Sequence, residues 1–127
     1  MGAQFLNVDL NLTARESLVP FATWYERYGF ALHQEEQGPE WFGRYELEFE
    51  GDLVQIFERQ CVALESMPED VVRLWNDATS RVLSIGIEAT PGLDAGAWIV
   101  SPALLTRIAD LRTELEFVVY GASGDFK

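Results

Sequence analysis

The segment Leu6-Asn7-Val8-Asp9-Leu10-Asn11-Leu12 alternates apolar and polar residues without a break. Successive side chains of a β-strand point to opposite faces of a sheet, so the alternation predicts a strand with one buried and one solvated face. Strands of this kind form a largely antiparallel or mixed sheet whose helices pack on a single side. The segment therefore predicts a two-layer α+β fold.

Other segments extend this prediction along the chain. The alternation recurs at 41–50, 83–88 and 115–119, and more weakly at 30–36. Between these segments, apolar residues recur at spacings of three and four, which is typical of helices that bury one side. The predicted order of elements is β-α-β-β-α-α-β-α-β.

Local signals predict where the helices begin and end. The segments 13–16 and 52–55 have the residue types and spacing of capping boxes. Ser101-Pro102 combines a favoured N-cap residue with proline at the first helical position. Gly29 is a residue type favoured just after the end of a helix, here the first one.

One side of the sheet and the helices above it are predicted to form the core. The strand residues predicted there are Leu6, Val8, Leu10, Tyr45, Leu47, Phe49, Leu83, Ile85, Ile87, Leu115, Phe117 and Val119. The helix residues predicted there are Leu18, Phe21, Tyr25, Ile56, Phe57, Leu104, Ile108 and Leu111.

Length and composition predict one domain spanning residues 1–127, of which 121–127 form a frayed tail. Of the 127 residues, 48% are hydrophobic, which supplies a substantial core. No apolar run approaches the roughly 20 residues that cross a bilayer, and the N-terminus lacks the pattern of a signal peptide. The single cysteine, Cys61, forms no internal disulfide. These features predict a cytoplasmic protein.

Negative charge is concentrated between residues 35 and 52. Seven acidic residues stand there against one arginine, Arg44, which places half of the chain's net charge of −12 in this segment. An acidic surface steers basic partners toward itself, whereas nucleic acids and anionic membranes need a basic one. The charge therefore predicts a basic protein partner, with no nucleic acid and no membrane. The acidic residues are Glu35, Glu36, Glu40, Glu46, Glu48, Glu50 and Asp52.

Few residues are suited to catalysis. His33 is the only histidine, so any Ser/His/Asp triad would have to contain it. A zinc site would lack a second imidazole. Cys61 lies on an apolar helix side, which is typical of a buried small hydrophobe. Glu46 and Glu48 are predicted about 7 Å apart on one side of a strand, which is within the range of separations between glycosidase carboxylates. However, alternate residues 44, 46, 48 and 50 are all charged, which is typical of a solvated strand face. With no nucleotide-binding or calcium-binding loop, we predict no catalytic residue, no metal and no cofactor.

Two of the four tryptophans are candidates for interface anchors. Trp24 and Trp75 lie on apolar helix sides and are predicted in the core. Trp41 adjoins the acidic segment and Trp98 follows a glycine-containing loop, so each is either a packed lid or an anchor that carries binding energy. The predicted partner-binding residues are Glu35, Glu36, Glu40, Trp41, Glu46, Glu48, Glu50 and Trp98.

The C-terminal third resembles a family of small uncharacterised bacterial α+β domains. The resemblance lies in Trp98-Ile99-Val100-Ser101-Pro102-Ala103-Leu104-Leu105, which has the form Trp-x-Ile/Val-Ser-x-x-Leu-Leu, and in the terminal strand Leu115-Glu116-Phe117-Val118-Val119-Tyr120. The strand segment 83–88 also fits the family. Some of its members are predicted immunity proteins of bacterial toxin systems, so the resemblance implies an acidic toxin binder.

Charge and resemblance together predict a non-enzymatic acidic protein-binding domain. Its most concrete form is an immunity protein that neutralises a basic toxin, for which a nuclease is suitable because nuclease sites are basic. Two alternatives stay open. The chain is a small enzyme or ligand-binding domain that uses carboxylates on the sheet face, or a structural homodimer formed through an exposed sheet face or edge strand.

Overall fold

The computed structural model describes residues 2–90 and 96–121, with side chains for residues 7–89 and 96–121. Its elements follow the predicted order. They are β1 (Gly2–Ala14), α1 (Val19–Tyr25), β2 (Gly29–Gln37), β3 (Glu40–Leu47), α2 (Leu53–Leu64), α3 (Glu69–Asp77), β4 (Ser80–Thr90), α4 (Pro102–Asp110) and β5 (Glu114–Tyr120).

The five strands form one mixed sheet in the order β2-β3-β1-β4-β5. The long first strand lies at the centre and pairs antiparallel with both β3 and β4. The strands β2 and β3 form an antiparallel hairpin whose turn contains Gly38, at a φ of 62° that favours glycine. The last strand runs parallel to β4 and reaches it through α4. The sheet therefore has β2 at one edge and β5 at the other.

The helices pack on one side of the sheet, which confirms the predicted two-layer α+β fold. Alternate residues of β1 (Val8, Leu10, Leu12 and Ala14) are all buried on this side. Four aromatic side chains, Phe21, Tyr25, Tyr45 and Trp75, fill the space between sheet and helices, with Phe21 in ring contact with the other three. The core also contains Trp24, as predicted. No helix in the described ranges is long and apolar enough to cross a membrane.

Two predicted helix starts are confirmed. Asp52 and Gln55 form a complete capping box at α2, because each side chain bonds the backbone N–H of the other. At α4, the Ser101 hydroxyl accepts a hydrogen bond from the Leu104 N–H, and Pro102 occupies the first turn. Both signals act within four residues, which is why they can be identified in the sequence.

Two other local predictions are wrong. Thr13 does not cap a helix with Glu16, because it lies in β1, where it pairs with Phe42 and Ser80. Gly29 does not end the first helix, which stops at Tyr25, but begins β2. A Cβ atom on Gly29 would collide with the Glu46 carbonyl, so close packing of β2 on β3 requires glycine there. In both cases strand pairing overrode a local signal.

The prediction placed two residues of β5 in the core that are exposed in the structure. Phe117 is 56% exposed and Val119 is 63% exposed, whereas Leu115 is partly buried. All three belong to the outermost strand, and only Leu115 packs against the core. Of the other predicted core residues, Phe49, Ile56, Ile87 and Leu111 are partly buried, and the Leu6 side chain lies outside the described residues. So do residues 91–95 of the loop and all but Gly121 of the predicted tail.

Candidate functional site

The side of the sheet away from the helices carries most of the strand carboxylates. We call this side the open face. Among the strand residues whose side chains are described, register and alternation place seven acidic residues on it but only one arginine, Arg44, and one histidine, His33. The seven are Asp9, Glu35, Glu40, Glu46, Glu88, Glu114 and Glu116.

A row of polar side chains crosses the centre of the open face. Asp9 of β1 pairs with Ser84 of β4, which in turn pairs with Glu116 of β5. On the other side, the pairing of Leu10 with Tyr45 places Asp9 next to Glu46 of β3. The Ser84 hydroxyl donates a hydrogen bond of 2.7 Å to the Glu116 carboxylate. Three carboxylates from three strands therefore lie in one cross-strand row.

The two carboxyls at the centre of this row are electrostatically strained. Partial burial raises the pKa of Asp9, although the charge of Arg44 opposes the shift. Partial burial also raises the pKa of Glu46, and the neighbouring Asp9 carboxylate adds to the effect. One oxygen of Asp9, Oδ1, is fully buried and has no hydrogen-bond partner among the described residues. A cationic group placed here would relieve both the desolvation and the repulsion.

Arg44 does not neutralise this cluster. Its Nε donates a hydrogen bond of 3.2 Å to the Asn11 side chain, and its guanidinium lies 5.7 Å from the centre of the Phe42 ring. Within the described residues it forms no ion pair with a carboxylate. The single arginine of the open face is thus held by neutral neighbours, and the face keeps its negative charge.

Near β2, the open face carries a His33–Glu35 pair. Nε2 of His33 lies 3.1 Å from Oε1 of Glu35, and both side chains are about half exposed, at 50% and 47%. A hydrogen bond from Gln37, followed by one from His33, lowers the pKa of Glu35. Glu35 is therefore a stable anion at the rim of the face.

The structure divides the predicted partner-binding residues among several places. Glu35, Glu40 and Glu46 lie together on the open face. Glu36 and Trp41 pair with each other on the opposite side, where Trp41 is partly buried against the core. The pleat causes this division, because neighbours in a strand point to opposite faces.

The remaining predicted residues lie outside the strands. Glu48 and Glu50 are exposed in the connection between β3 and α2, since β3 ends at Leu47. Trp98 lies in the connection between β4 and α4, partly buried against the core. Of the two proposed anchors, Trp41 and Trp98, neither is on the open face.

A cleft opens where the C-terminal end of β3 meets β1 and the start of α2. Its volume is about 260 Å³, and it holds two carboxylates, Glu46 and Glu50, beside the partly buried Phe49 ring. The cleft lies between the acidic row and the connection that follows β3, because its lining includes Glu46 of the row and Glu50 of the connection. Its lining is Asn7, Val8, Glu46, Leu47, Phe49, Glu50, Gly51 and Ile56.

Groups suited to nucleophilic or metal chemistry are not assembled in the described part of the chain. Cys61 is buried, and burial raises the pKa of its thiol to about 11, which keeps it neutral. Within residues 2–90 and 96–121, no group of three or more histidine, cysteine or acidic side chains has a geometry that could hold a metal ion.

Sequence reasoning missed Asp9, Glu88, Glu114 and Glu116 as parts of the site. The signal was present, because the alternation of each strand already assigned these residues to the solvated side. The strand order, which brings β1, β4 and β5 into one sheet on the same side of β3, could not be read from alternation.

Compared with known proteins, the chain matches no protein-family profile, no curated protein and no solved structure. The resemblance of residues 98–120 to small bacterial domains therefore stays a prediction, and the open face itself is the basis for a functional proposal.

Proposed function

We propose that this protein is a non-enzymatic binding domain that docks a basic protein partner on the open face of its sheet. The observation that carries the proposal is the concentration of seven carboxylates on a helix-free surface whose one arginine, Arg44, is held by Asn11 and Phe42. Such a surface attracts cations over long distances and raises association rates.

The raised pKa values at the centre of the face support a partner that supplies positive charge. Asp9 and Glu46 are partly desolvated and close together, which disfavours their anionic forms in the unbound protein. A lysine or arginine placed between them would stabilise both anions, since opposite charge favours ionisation. The free protein keeps an unfavourable arrangement that a basic partner would make favourable.

The concrete form of the proposal is an immunity protein that acts in the cytoplasm and covers the basic site of a toxin. A nuclease suits this role because its active-site surface must attract phosphates and is therefore positive. The open face would occupy that surface in place of nucleic acid. The cleft beside Glu46 and Glu50 would then receive one basic side chain of the partner.

The experiment that tests the proposal is charge reversal on the two layers of the molecule. The variant Glu35→Lys/Glu46→Lys changes the open face by four charges, and Glu58→Lys/Asp110→Lys makes the same change on exposed positions of α2 and α4. The partner is the protein captured by the wild-type chain from its native host, purified and then measured by stopped-flow association across a series of salt concentrations.

We expect the open-face reversal to lower the association rate at low salt by roughly tenfold or more, with a smaller effect on dissociation. The helix-layer reversal should lower it far less. Equal losses in both variants would mean that only net charge matters, and unchanged rates in both would place the contact elsewhere. Either result would overturn the open face as the binding surface.

Neither His33 nor Cys61 should be required for this function. His33 sits at the rim of the open face and Cys61 is buried with a neutral thiol. We therefore expect His33→Ala and Cys61→Ser to keep partner neutralisation within a few-fold of wild type. Loss of activity in a variant that circular dichroism shows to be folded would contradict the non-enzymatic proposal.

A further inference from the structure

The two edges of the sheet are protected unequally. The outer strand β2 contains a bulge between Ala31 and His33, whereas exposed acids are present on both edge strands. A bulge is a common device that keeps an edge strand from pairing with another chain. The opposite edge, β5, pairs with β4 from Glu114 to Tyr120 without a register shift.

The β5 edge also exposes large apolar side chains. Phe117, Val119 and Tyr120 are 56%, 63% and 52% exposed, the highest values for large hydrophobic residues within any strand of the described chain. In the described part of the chain, β5 pairs with β4 alone, so its outer backbone groups have no strand partner. The strand contains neither proline nor lysine. A regular, unpaired edge with exposed apolar side chains is a template for strand addition.

We propose that β5 pairs antiparallel with β5 of a second copy of this chain, joining the two sheets into one of ten strands. A two-fold axis perpendicular to the sheet would pass beside Phe117, so that Phe117 meets its own copy. All helices would then lie on one side of the joined sheet and both open faces on the other. This proposal is independent of the basic partner.

The charge pattern of β5 supports a second copy in this register. With Phe117 opposite Phe117, each Glu114 faces Tyr120 and each Glu116 faces Val118, so neither carboxylate faces another. Moving the axis by one residue toward the N-terminus would place Glu116 opposite itself, which is unfavourable for like charges. Moving it by one toward the C-terminus would leave Glu114 and Leu115 outside the β5–β5 ladder. The centred register pairs all seven residues of the strand without a charge conflict.

The apolar residues of the helix side also match in this register. Leu115 faces Val119 of the second copy, and the two Phe117 rings meet at the axis, which would cover side chains that the described helices leave exposed. An interface of one strand pair is small, so we expect a weak dimer whose fraction rises with protein concentration. Both copies carry a net charge of −12, so screening by salt should strengthen the dimer. Binding of a basic partner should respond to salt in the opposite direction.

The first test is sedimentation velocity of the full chain over a range of concentrations. We expect a monomer of 14.4 kDa in equilibrium with a species of twice that mass. Phe117→Lys should abolish the dimer, whereas Leu32→Lys, at a 47% exposed position of the other edge, should leave it intact. Circular dichroism should show both variants folded, because both residues are exposed.

The second test is register-specific cross-linking under mild oxidation. Phe117→Cys should form a disulfide with its copy, because directly opposite residues have Cα atoms about 4.5–5.5 Å apart. Val119→Cys should not, because its copy would lie four residues away, about 14 Å along the strands. The native Cys61 is buried and stays reduced in both variants.

Three results would overturn the proposal. A full chain that stays monomeric at all concentrations has no such interface. A dimer broken by Leu32→Lys but not by Phe117→Lys uses β2. If the full chain stays monomeric and a chain that ends at residue 121 dimerises, the tail and not a second copy would be the occupant of the β5 edge.

Discussion

On the helix-covered side of the central strand, Val8, Leu10, Leu12 and Ala14 are all buried. On the open side of the same strand, Asp9 keeps a buried oxygen that has no hydrogen-bond partner among the described side chains, and it lies beside a second carboxyl, Glu46. One side is therefore optimised for packing, whereas the other retains repulsion that does not help the fold. The proposed contact with a basic partner would account for this difference, because stability alone would favour neutral residues there.

The largest expected effect is a difference in the free energy of unfolding between two alanine variants. One substitution is at the centre of the helix-covered side, and the other is at its edge. Ile108 is 3% exposed and Phe117 is 56% exposed, although both were predicted in the core. We expect Ile108→Ala to lower the free energy of unfolding by about 2–5 kcal/mol, because it leaves a cavity. Phe117→Ala should lower it by less than about 1 kcal/mol.

Urea denaturation at low protein concentration, where self-association is negligible, measures both values. Equal losses in the two variants would mean that Phe117 is covered in the folded chain and would remove the distinction between centre and edge.

A smaller effect is expected from the polar pair inside the helix layer. The Tyr25 hydroxyl donates a hydrogen bond of 2.8 Å to Gln60, which is 1% exposed. Tyr25→Phe would leave the Gln60 carbonyl buried without its partner, so we expect a loss of about 1–3 kcal/mol in the free energy of unfolding.

Tyr28→Phe is the matched control for this prediction. The Tyr28 hydroxyl bonds the exposed Ser66, where water can replace it, and a loss of only a few tenths of a kcal/mol is expected. Equal losses in the two variants would mean that burial does not make the Tyr25–Gln60 hydrogen bond contribute more to stability than the exposed one.

The smallest effect, and one of opposite sign, is expected on the open face. Burial raises the pKa of Asp9 in the folded protein, so its ionised form opposes folding. The contribution of Asp9 to stability is thus most favourable below its unfolded-state pKa, near the ordinary value of 3.8, and is lost as pH rises through its folded-state pKa. Asp9→Asn should increase the free energy of unfolding at pH 7 by ~0.5 kcal/mol, allowing for solvent screening, and leave it unchanged at pH 3.

Asp110→Asn, on the exposed surface of α4, removes the same charge away from the open face and should have a smaller effect at pH 7. Urea denaturation at pH 7 and pH 3 compares the two variants. A loss of stability in Asp9→Asn at pH 7 would contradict the view that the open face is electrostatically strained.

Sequence reasoning succeeded where the determining interactions are local. The helix starts at Asp52 and Ser101 are confirmed because their capping bonds span three residues. Thr13 has an equally good local signal but pairs in β1, where its carbonyl also accepts hydrogen bonds from Thr79. Strand pairing between distant segments satisfied the Thr13 backbone, and a local cap could not compete with it.

In the regular parts of the strands, alternation alone was enough to assign each residue to a face, because the pleat repeats every two residues whatever the neighbouring strand is. The bulge in β2 breaks this rule, since it brings Phe30 and His33 to the same face. Alternation placed Asp9, Glu46 and Glu116 on solvated sides, in three separate segments. Only the tertiary structure decided that these carboxylates share one cross-strand row, and that Phe117 lies exposed on an edge strand. The strand order β2-β3-β1-β4-β5 depends on pairing between distant segments, and alternation within one strand contains no information about its neighbours.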